Sequence, residues 1–152
     1  MLDVVDSAKR SQMMSGIKGK NTRPELFVRR YLHSAGFRFR LHRKDLLGCP
    51  DLTLSKYRLV IFVHGCFWHR HESCFYTTSP SSRKEFWGEK FKGNVERDEK
   101  HVKALLEAGW RVLVIWECGI KHSLEELGLL QDLIKGTSKS MVWPSRPPKI
   151  KL

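Results

Sequence analysis

The sequence predicts a single α/β domain in which one mixed central β-sheet is flanked by helices. Three observations lead there. The chain has 152 residues, 41% of them hydrophobic, the size and composition of one domain with a real core. Residues 58–63 and 110–116 are short, nearly continuous apolar runs, as expected of strands covered on both faces. The periodicities also run in the order helix, three strands, helix, strand, helix, which fits a sheet wrapped by helices.

Each element has a local reason. Thr22-Arg23-Pro24-Glu25 has the form of a capping box with Pro in the first turn, and Val28, Tyr31, Leu32 and Ala35 follow at helical spacing. Gly36 can close that helix. Residues 37–42 alternate strictly, predicting a half-buried strand. A turn-rich stretch through Gly48 and Pro50 leads to a short strand over 51–54, and Ser55-Lys56-Tyr57 turns the chain into the strand 58–63. Residues 64–88 show no periodicity, and long loops inside compact domains are usually functional. A helix is expected over 89–108, with Val95, Val102, Leu105 and Leu106 on one face and Gly109 as terminator. The strand 110–116 ends at Glu117-Cys118, and Ser123-Leu124-Glu125-Glu126 caps a last helix reaching about residue 134. The organisation is therefore a basic arm over 1–21, a core domain over 22–135 that carries the loop 64–88, and a tail over 136–152. No internal repeat is present.

Lys and Arg number 28 against 16 Asp and Glu, a formal charge of +12. A surplus of that size on a small domain suits a polyphosphate partner, nucleic acid above all. No apolar run approaches the ~20 residues that span a bilayer, and the N-terminus lacks the pattern of a secretory signal. The expected location is the cytosol, where thiols stay reduced. The four cysteines then read as metal ligands or buried thiols.

Two constellations carry chemistry. Cys66, His71 and Cys74, five and three positions apart, with Cys118 at the end of a later strand, suit tetrahedral Zn²⁺ in a closed structural site. The alternative is a set of unrelated buried thiols; Cys49 lies apart. Asp51 and His64 sit on consecutive strands joined by a tight turn, which makes them diagonal neighbours on one face. With Glu25 on the first helix and His69 on the loop, they can converge at one end of the sheet. Phosphodiester hydrolysis needs such an inventory: a carboxylate to hold Mg²⁺, a base for water and an acid for the leaving oxygen. Asp98 falls on the apolar face of its helix and needs a partner. It can orient His64 or His69, or pair with an Arg.

Pro50-Asp51 followed by a strand ending at His64 resembles the PD-(D/E)XK nuclease superfamily, and the element order fits its core. More narrowly, Phe62-Val63-His64-Gly65-Cys66-Phe67-Trp68-His69, Glu85-Phe86-Trp87, Asn94-Val95-Glu96-Arg97-Asp98 and the block 109–118 look like the very-short-patch repair (Vsr) endonucleases. The resemblance covers roughly residues 3–120. It implies a bacterial Mg²⁺-dependent enzyme that nicks the thymine strand 5′ of T in T:G mismatches left by deaminated 5-methylcytosine, leaving a 5′-phosphate and a 3′-hydroxyl. It implies Asp51 and the backbone carbonyl of Val63 as Mg²⁺ ligands, His69 as base or water-positioning group and His64 as assisting at the phosphate or leaving group. Cys66, His71, Cys74 and Cys118 would hold Zn²⁺. Phe67, Trp68 and Trp87 would wedge into the base stack, with Met14 of the arm pressing from the other groove. The superfamily's usual second acid and lysine are here Phe62 and His64, Val63 stands where members often have Thr, and the spacer before Cys74 is one residue longer.

A T:G wobble stacks poorly, so prying it open costs less than opening a normal pair, and inserted aromatics recover part of that cost. The alternative for Phe67 and Trp68 is a small hydrophobic cluster under the loop, and for Trp87 packing at a helix start. Implied partners are double-stranded DNA with a T:G mismatch and, functionally, a cytosine-5 DNA methyltransferase and mismatch-repair proteins. The expected state is a monomer acting on the nucleoid, without a membrane partner. Other readings are a restriction- or resolvase-type nuclease without mismatch specificity, and a non-catalytic zinc-stabilised DNA-binding module.

Overall fold

A computed structural model of the protein describes residues 21–149. The basic arm with Met14 therefore lies outside the described residues. Helix α1 (Arg23–Ser34) starts where the capping signal put it: Thr22 Oγ1 accepts from Glu25 N at 3.4 Å and Pro24 occupies the first turn. The Glu25 carboxylate reaches back to Asn21 N, at 2.9 Å. Val28 and Leu32 are fully buried, and Gly36 follows at φ +97, a conformation that glycine adopts without strain.

The sheet has five strands in the order β1-β2-β3-β4-β5: β1 (Arg40–Leu41), β2 (Leu52–Leu54), β3 (Leu59–His64), β4 (Arg111–Trp116) and β5 (Ser140–Trp143). The first three are antiparallel neighbours, with Leu52 opposite Ile61 and Arg40 opposite Thr53. β4 and β5 then add in parallel, with Ile61 beside Leu113 and Leu113 beside Met141. The expected mixed sheet and its central strand β3 are borne out.

Helix α2 (Lys84–Glu107) makes the crossover from β3 to β4 and covers one face. Val60, Phe62, Val112 and Leu105 pack there. On the opposite face, Leu59, Ile61, Leu113 and Ile115 pack against Val28 and Leu32 of α1 and against Leu130 and Ile134 of α4 (Leu129–Lys135). Successive strand residues thus feed alternate cores, which is why β3 and β4 read as unbroken apolar runs. Each such side chain, fully buried, contributes roughly 1.5–3 kcal/mol relative to exposure.

Four elements differ from expectation. The last helix, expected to be capped by Ser123, starts only at Leu129 as α4, and Leu124–Glu126 is a single 3₁₀ turn with no side-chain cap bond from Ser123. The strand foreseen over 37–42 pairs at only two exposed residues, because Phe37 turns into the core and His42 adopts φ +48 and ends the ladder. Helix α2 begins at Lys84 rather than 89. Its first turns pack through Trp87 and Phe91 on the loop aromatics Phe67 and Trp68 instead of the main core, so they lack the core's periodicity.

The segment read as a tail supplies β5, and a short helix α3 (Glu117–His122) precedes it. The Arg111 guanidinium donates to the carbonyls of Leu133, Ile134 and Ser138, capping α4 and fixing the chain that becomes β5. Trp143 is 2% exposed and its indole donates to Glu126 O at 3.1 Å. A Cβ on Gly119 would lie 2.5 Å from Pro144 Cδ, so α3 sits on β5 only because that position carries no side chain.

Candidate active site

The C-terminal ends of β3 and β4 open into a cleft of about 680 Å³ that collects Glu25, Asp51, His64, His69 and Asp98, together with Phe67 and Trp68. The convergence expected from the spacing is therefore present. It comes as two adjoining groups.

The first is an acidic corner. Asp51 immediately precedes β2, and its Oδ2 accepts from Val63 N of β3 at 2.7 Å, so the neighbouring strand sets its orientation. Glu25, 2% exposed, accepts from Asn21 N and from the Arg29 guanidinium at Oε2. Its Oε1 lies 3.0 Å from His42 Nε2. Burial and the hydrogen bond with Glu25 push the Asp51 carboxyl up to about 8, against the opposing bond from Val63. Burial would also raise Glu25, but hydrogen bonds with Asp51, His42 and Asn21 and the charge of Arg29 hold it below the usual carboxylate range. The two carboxyls thus share one proton, Asp51 carrying it.

The second group is a stack of imidazoles. The His64 and His69 rings lie 3.8 Å apart and 4° from parallel. Asp98 Oδ2 meets His69 Nδ1 at 2.6 Å, so of the partners weighed for Asp98, His64, His69 or an Arg, it takes His69. This leaves His69 Nε2 as the nitrogen available to the cleft. His64 is 6% exposed, and its buried Nδ1 has no hydrogen-bond partner among the described residues. Burial, then the neighbouring His69 and His71 rings, hold its pKa well below the ordinary histidine value, so it stays neutral.

Behind the stack, Cys66, His71, Cys74 and Cys118 bring one ligand atom each within 4.8 Å of one another, a cluster able to hold a metal ion. His71 Nδ1 lies 3.7 Å from Cys66 Sγ and 3.4 Å from Cys118 Sγ. Cys118 sits in the first turn of α3, just beyond the strand end where it was expected. The neighbouring Cys118 thiol and burial push Cys66 far above the ordinary thiol value, and burial raises Cys74. Such thiols remain protonated until a cation takes them. Trp116, at the end of β4, joins the two groups: His71 stacks on it at 4.1 Å and His64 meets its edge at 5.2 Å.

The loop aromatics form one cluster. Phe67 contacts Trp68 at 5.0 Å and Phe91 at 5.2 Å between ring centroids, and Trp68 lies 5.9 Å from Trp87. Wedge and cluster are therefore compatible, since Phe67 and Trp68 also line the cleft. Arg70, at φ +54, donates to Phe67 O and Thr78 O and lays its guanidinium 4.0 Å over Phe91. Asn94 on α2 donates to Trp68 O at 3.0 Å. Sequence reasoning gave His42, Arg70, Asn94 and Trp116 no role. Asn94 and Asp98 lie four positions apart and so share one face of α2, the only local signal among them.

A family model described as DNA mismatch endonuclease Vsr matches residues 2–75. The type II nicking enzyme V.XorIIP of Xanthomonas oryzae pv. oryzae is 47% identical over 135 residues, covering 89% of this chain and 96% of its own. The chain belongs to the Vsr family. The DNA mismatch endonuclease Vsr of Escherichia coli is 45% identical over 121 residues, 80% of this chain and 77% of its own length. The type II nicking enzyme V.NmeAIP of Neisseria meningitidis is 45% identical over 122 residues, 80% and 86% of the two chains. This Vsr-family protein is accordingly a DNA endonuclease, a hydrolase whose partner is DNA. No helix among its described residues is long and apolar enough to cross a membrane.

Proposed function

We propose that this endonuclease is Mg²⁺-dependent and nicks the thymine strand 5′ of T in T:G mismatches that arise from deaminated 5-methylcytosine. The observation that carries the reading is the shared cleft: Asp51, the His69–Asp98 pair and the Phe67–Trp68 rings line one cavity. The chain's formal charge of +12 favours a DNA partner.

Both metal sites pass a test of donor chemistry. Two carboxyls close enough to share a proton, one held protonated up to about 8, form a site short of positive charge. Oxygen donors of that kind suit a hard divalent cation. Asp51 would hold Mg²⁺ together with the carbonyl of Val63, and the bound cation would stabilise the charge that develops on the scissile phosphate. For the cysteine cluster, tetrahedral Zn²⁺ requires sulfur–nitrogen edges of about 3.6 Å. The observed separations are 3.7 and 3.4 Å. Cys66, His71, Cys74 and Cys118 would hold that ion in a structural role.

The protein's own groups divide the remaining work. His69 orients a water through Nε2 and takes its proton as the water oxygen bonds to phosphorus, while Asp98 fixes the ring and stabilises the imidazolium. The bond from phosphorus to O3′ breaks, the leaving oxygen gains a proton, and 3′-hydroxyl and 5′-phosphate ends result. His64, kept neutral and stacked on His69, offers a hydrogen bond to the phosphate rather than a charge. Phe67 and Trp68, with Trp87 behind them, insert beside the weak pair and recover stacking energy. Loop geometry thereby couples mismatch opening to the position of His69.

The test is incubation of end-labelled T:G and T:A duplexes, otherwise identical, with Mg²⁺. Nicking confined to the thymine strand of the T:G duplex is expected. Equal cutting of both duplexes would defeat the mismatch reading, and binding without cleavage would defeat the catalytic one.

A further inference from the structure

We infer that His42 is a positioning residue of the cation site, holding Glu25 against Asp51 so that the Asp51 carboxylate is presented to the divalent ion. This rests on the reading of Asp51 as the Mg²⁺ ligand.

The local backbone is the first indication. β1 stops at Leu41, and His42 takes φ +48, a left-handed conformation that costs a non-glycine residue free energy. In return the imidazole swings into the acidic corner, where its side chain is only 12% exposed. His42 N also lies 3.4 Å from Asp51 O, so main chain and side chain both face the same neighbour.

Atom by atom, the corner leaves His42 a specific task. Glu25 Oε2 is occupied by Asn21 N and Arg29. Its other oxygen, Oε1, meets His42 Nε2 at 3.0 Å, a shorter contact than the 3.4 Å from that nitrogen to Arg29 Nη2, and since a carboxylate only accepts, Nε2 donates to Glu25. The same nitrogen stands 4.0 Å from Asp51 Oδ1, while Asp51 Oδ2 is fixed by Val63 N. With both of its oxygens bound, the Glu25 carboxylate is held in one orientation, its charge partly offset by Arg29, and it serves as a wall for Asp51 rather than a competing ligand. Without His42, Oε1 would lose its donor, and Glu25 could turn to meet the cation itself. This role differs from catalysis, since His42 does not line the cleft and acts through Glu25.

Mn²⁺ binding to the DNA-free, zinc-loaded protein, followed by the Mn²⁺ electron paramagnetic signal, tests the inference without relying on turnover. His42→Ala should weaken Mn²⁺ binding about tenfold, whereas His42→Gln, whose amide can still donate to Oε1, should stay within about threefold. The Mg²⁺ concentration for half-maximal nicking should shift in step, with the rate at saturating Mg²⁺ little changed. Unaltered Mn²⁺ affinity in His42→Ala would overturn the inference. His42→Phe keeps the ring volume and deletes only the donor nitrogen, so it serves if the alanine variant folds poorly. Loss of folding in both would also overturn it, making His42 a residue of the fold. Asp51→Asn separates the two levels: undiminished Mn²⁺ binding there would bring down the cation reading itself, whatever His42 does.

Discussion

The Cys66–His71–Cys74–Cys118 cluster and the Glu25–His42–Asp51 corner each gather their ligand atoms within 4.8 Å, yet they are built in opposite ways. Three of the four cluster residues lie on the loop between β3 and α2, where no strand ladder fixes the chain. The loop enters the left-handed region three times, at Arg70, Ser73 and Arg83, and is held by side-chain bonds such as Thr77 Oγ1 to His71 O at 2.6 Å. The corner instead hangs from α1 and β2, and its carboxyls already have protein donors. On the proposed reading, the loop would need an ion to keep its shape, whereas the corner would need one only to react. Structural and catalytic metal chemistry would then be separated by the rigidity of what carries the ligands.

The largest effect that would sharpen this contrast is removal of a cysteine. Cys118→Ala should release the metal, cost upwards of about 4 kcal/mol and abolish nicking, as loss of a structural metal usually does. Metal content and the thermal midpoint read it out, and an unchanged midpoint would erase the difference between the two sites. Next, Asp51→Asn should reduce nicking by about 10³-fold, the scale of a lost metal ligand, while moving the thermal midpoint by only a few degrees and sparing mismatch binding. A collapse comparable to that of Cys118→Ala would mean the corner is structural after all.

The third prediction concerns protons. With Asp51 raised to about 8, the metal-free corner holds a proton through neutral pH, and a cation must displace it. Apparent Mg²⁺ affinity should therefore climb with pH, by up to about tenfold per unit, and level off above about 8. Titrating Mg²⁺ across pH 6–9 checks this, and an affinity independent of pH would break the shared-proton picture. The smallest effect belongs to the aromatic cluster that the loop carries. Trp68→Ala should lower the ratio of T:G to T:A nicking by roughly tenfold, about 1.4 kcal/mol of lost stacking, with metal content intact. A constant ratio would remove the wedge.

Regular elements with a strong period were legible beforehand. The capping residues Thr22 to Glu25 and the apolar runs that became β3 and β4 encode their structure within a few neighbours, so local pattern sufficed. The cysteine set was legible for a related reason, since few residue types bind soft metals. β5 was not, because Ser140–Trp143 is half exposed and acquires its place from Arg111 and the β4 edge. His42 was invisible too. Its role depends on a positive φ and on Glu25, 17 positions away in the chain, and no spacing rule links the two.

The amino-acid order alone therefore determined the sheet's central strands, the positive charge and the inventory of ligands and imidazoles, since periodicity, charge and ligand chemistry belong to the residues themselves. Tertiary structure decided which carboxylate faces which histidine. It paired Asp98 with His69, left His64 Nδ1 without a hydrogen-bond partner among the described residues and set one proton between Asp51 and Glu25. The reason is physical: hydrogen bonds and desolvation act over a few ångströms of space, and only the folded chain fixes which groups share that space.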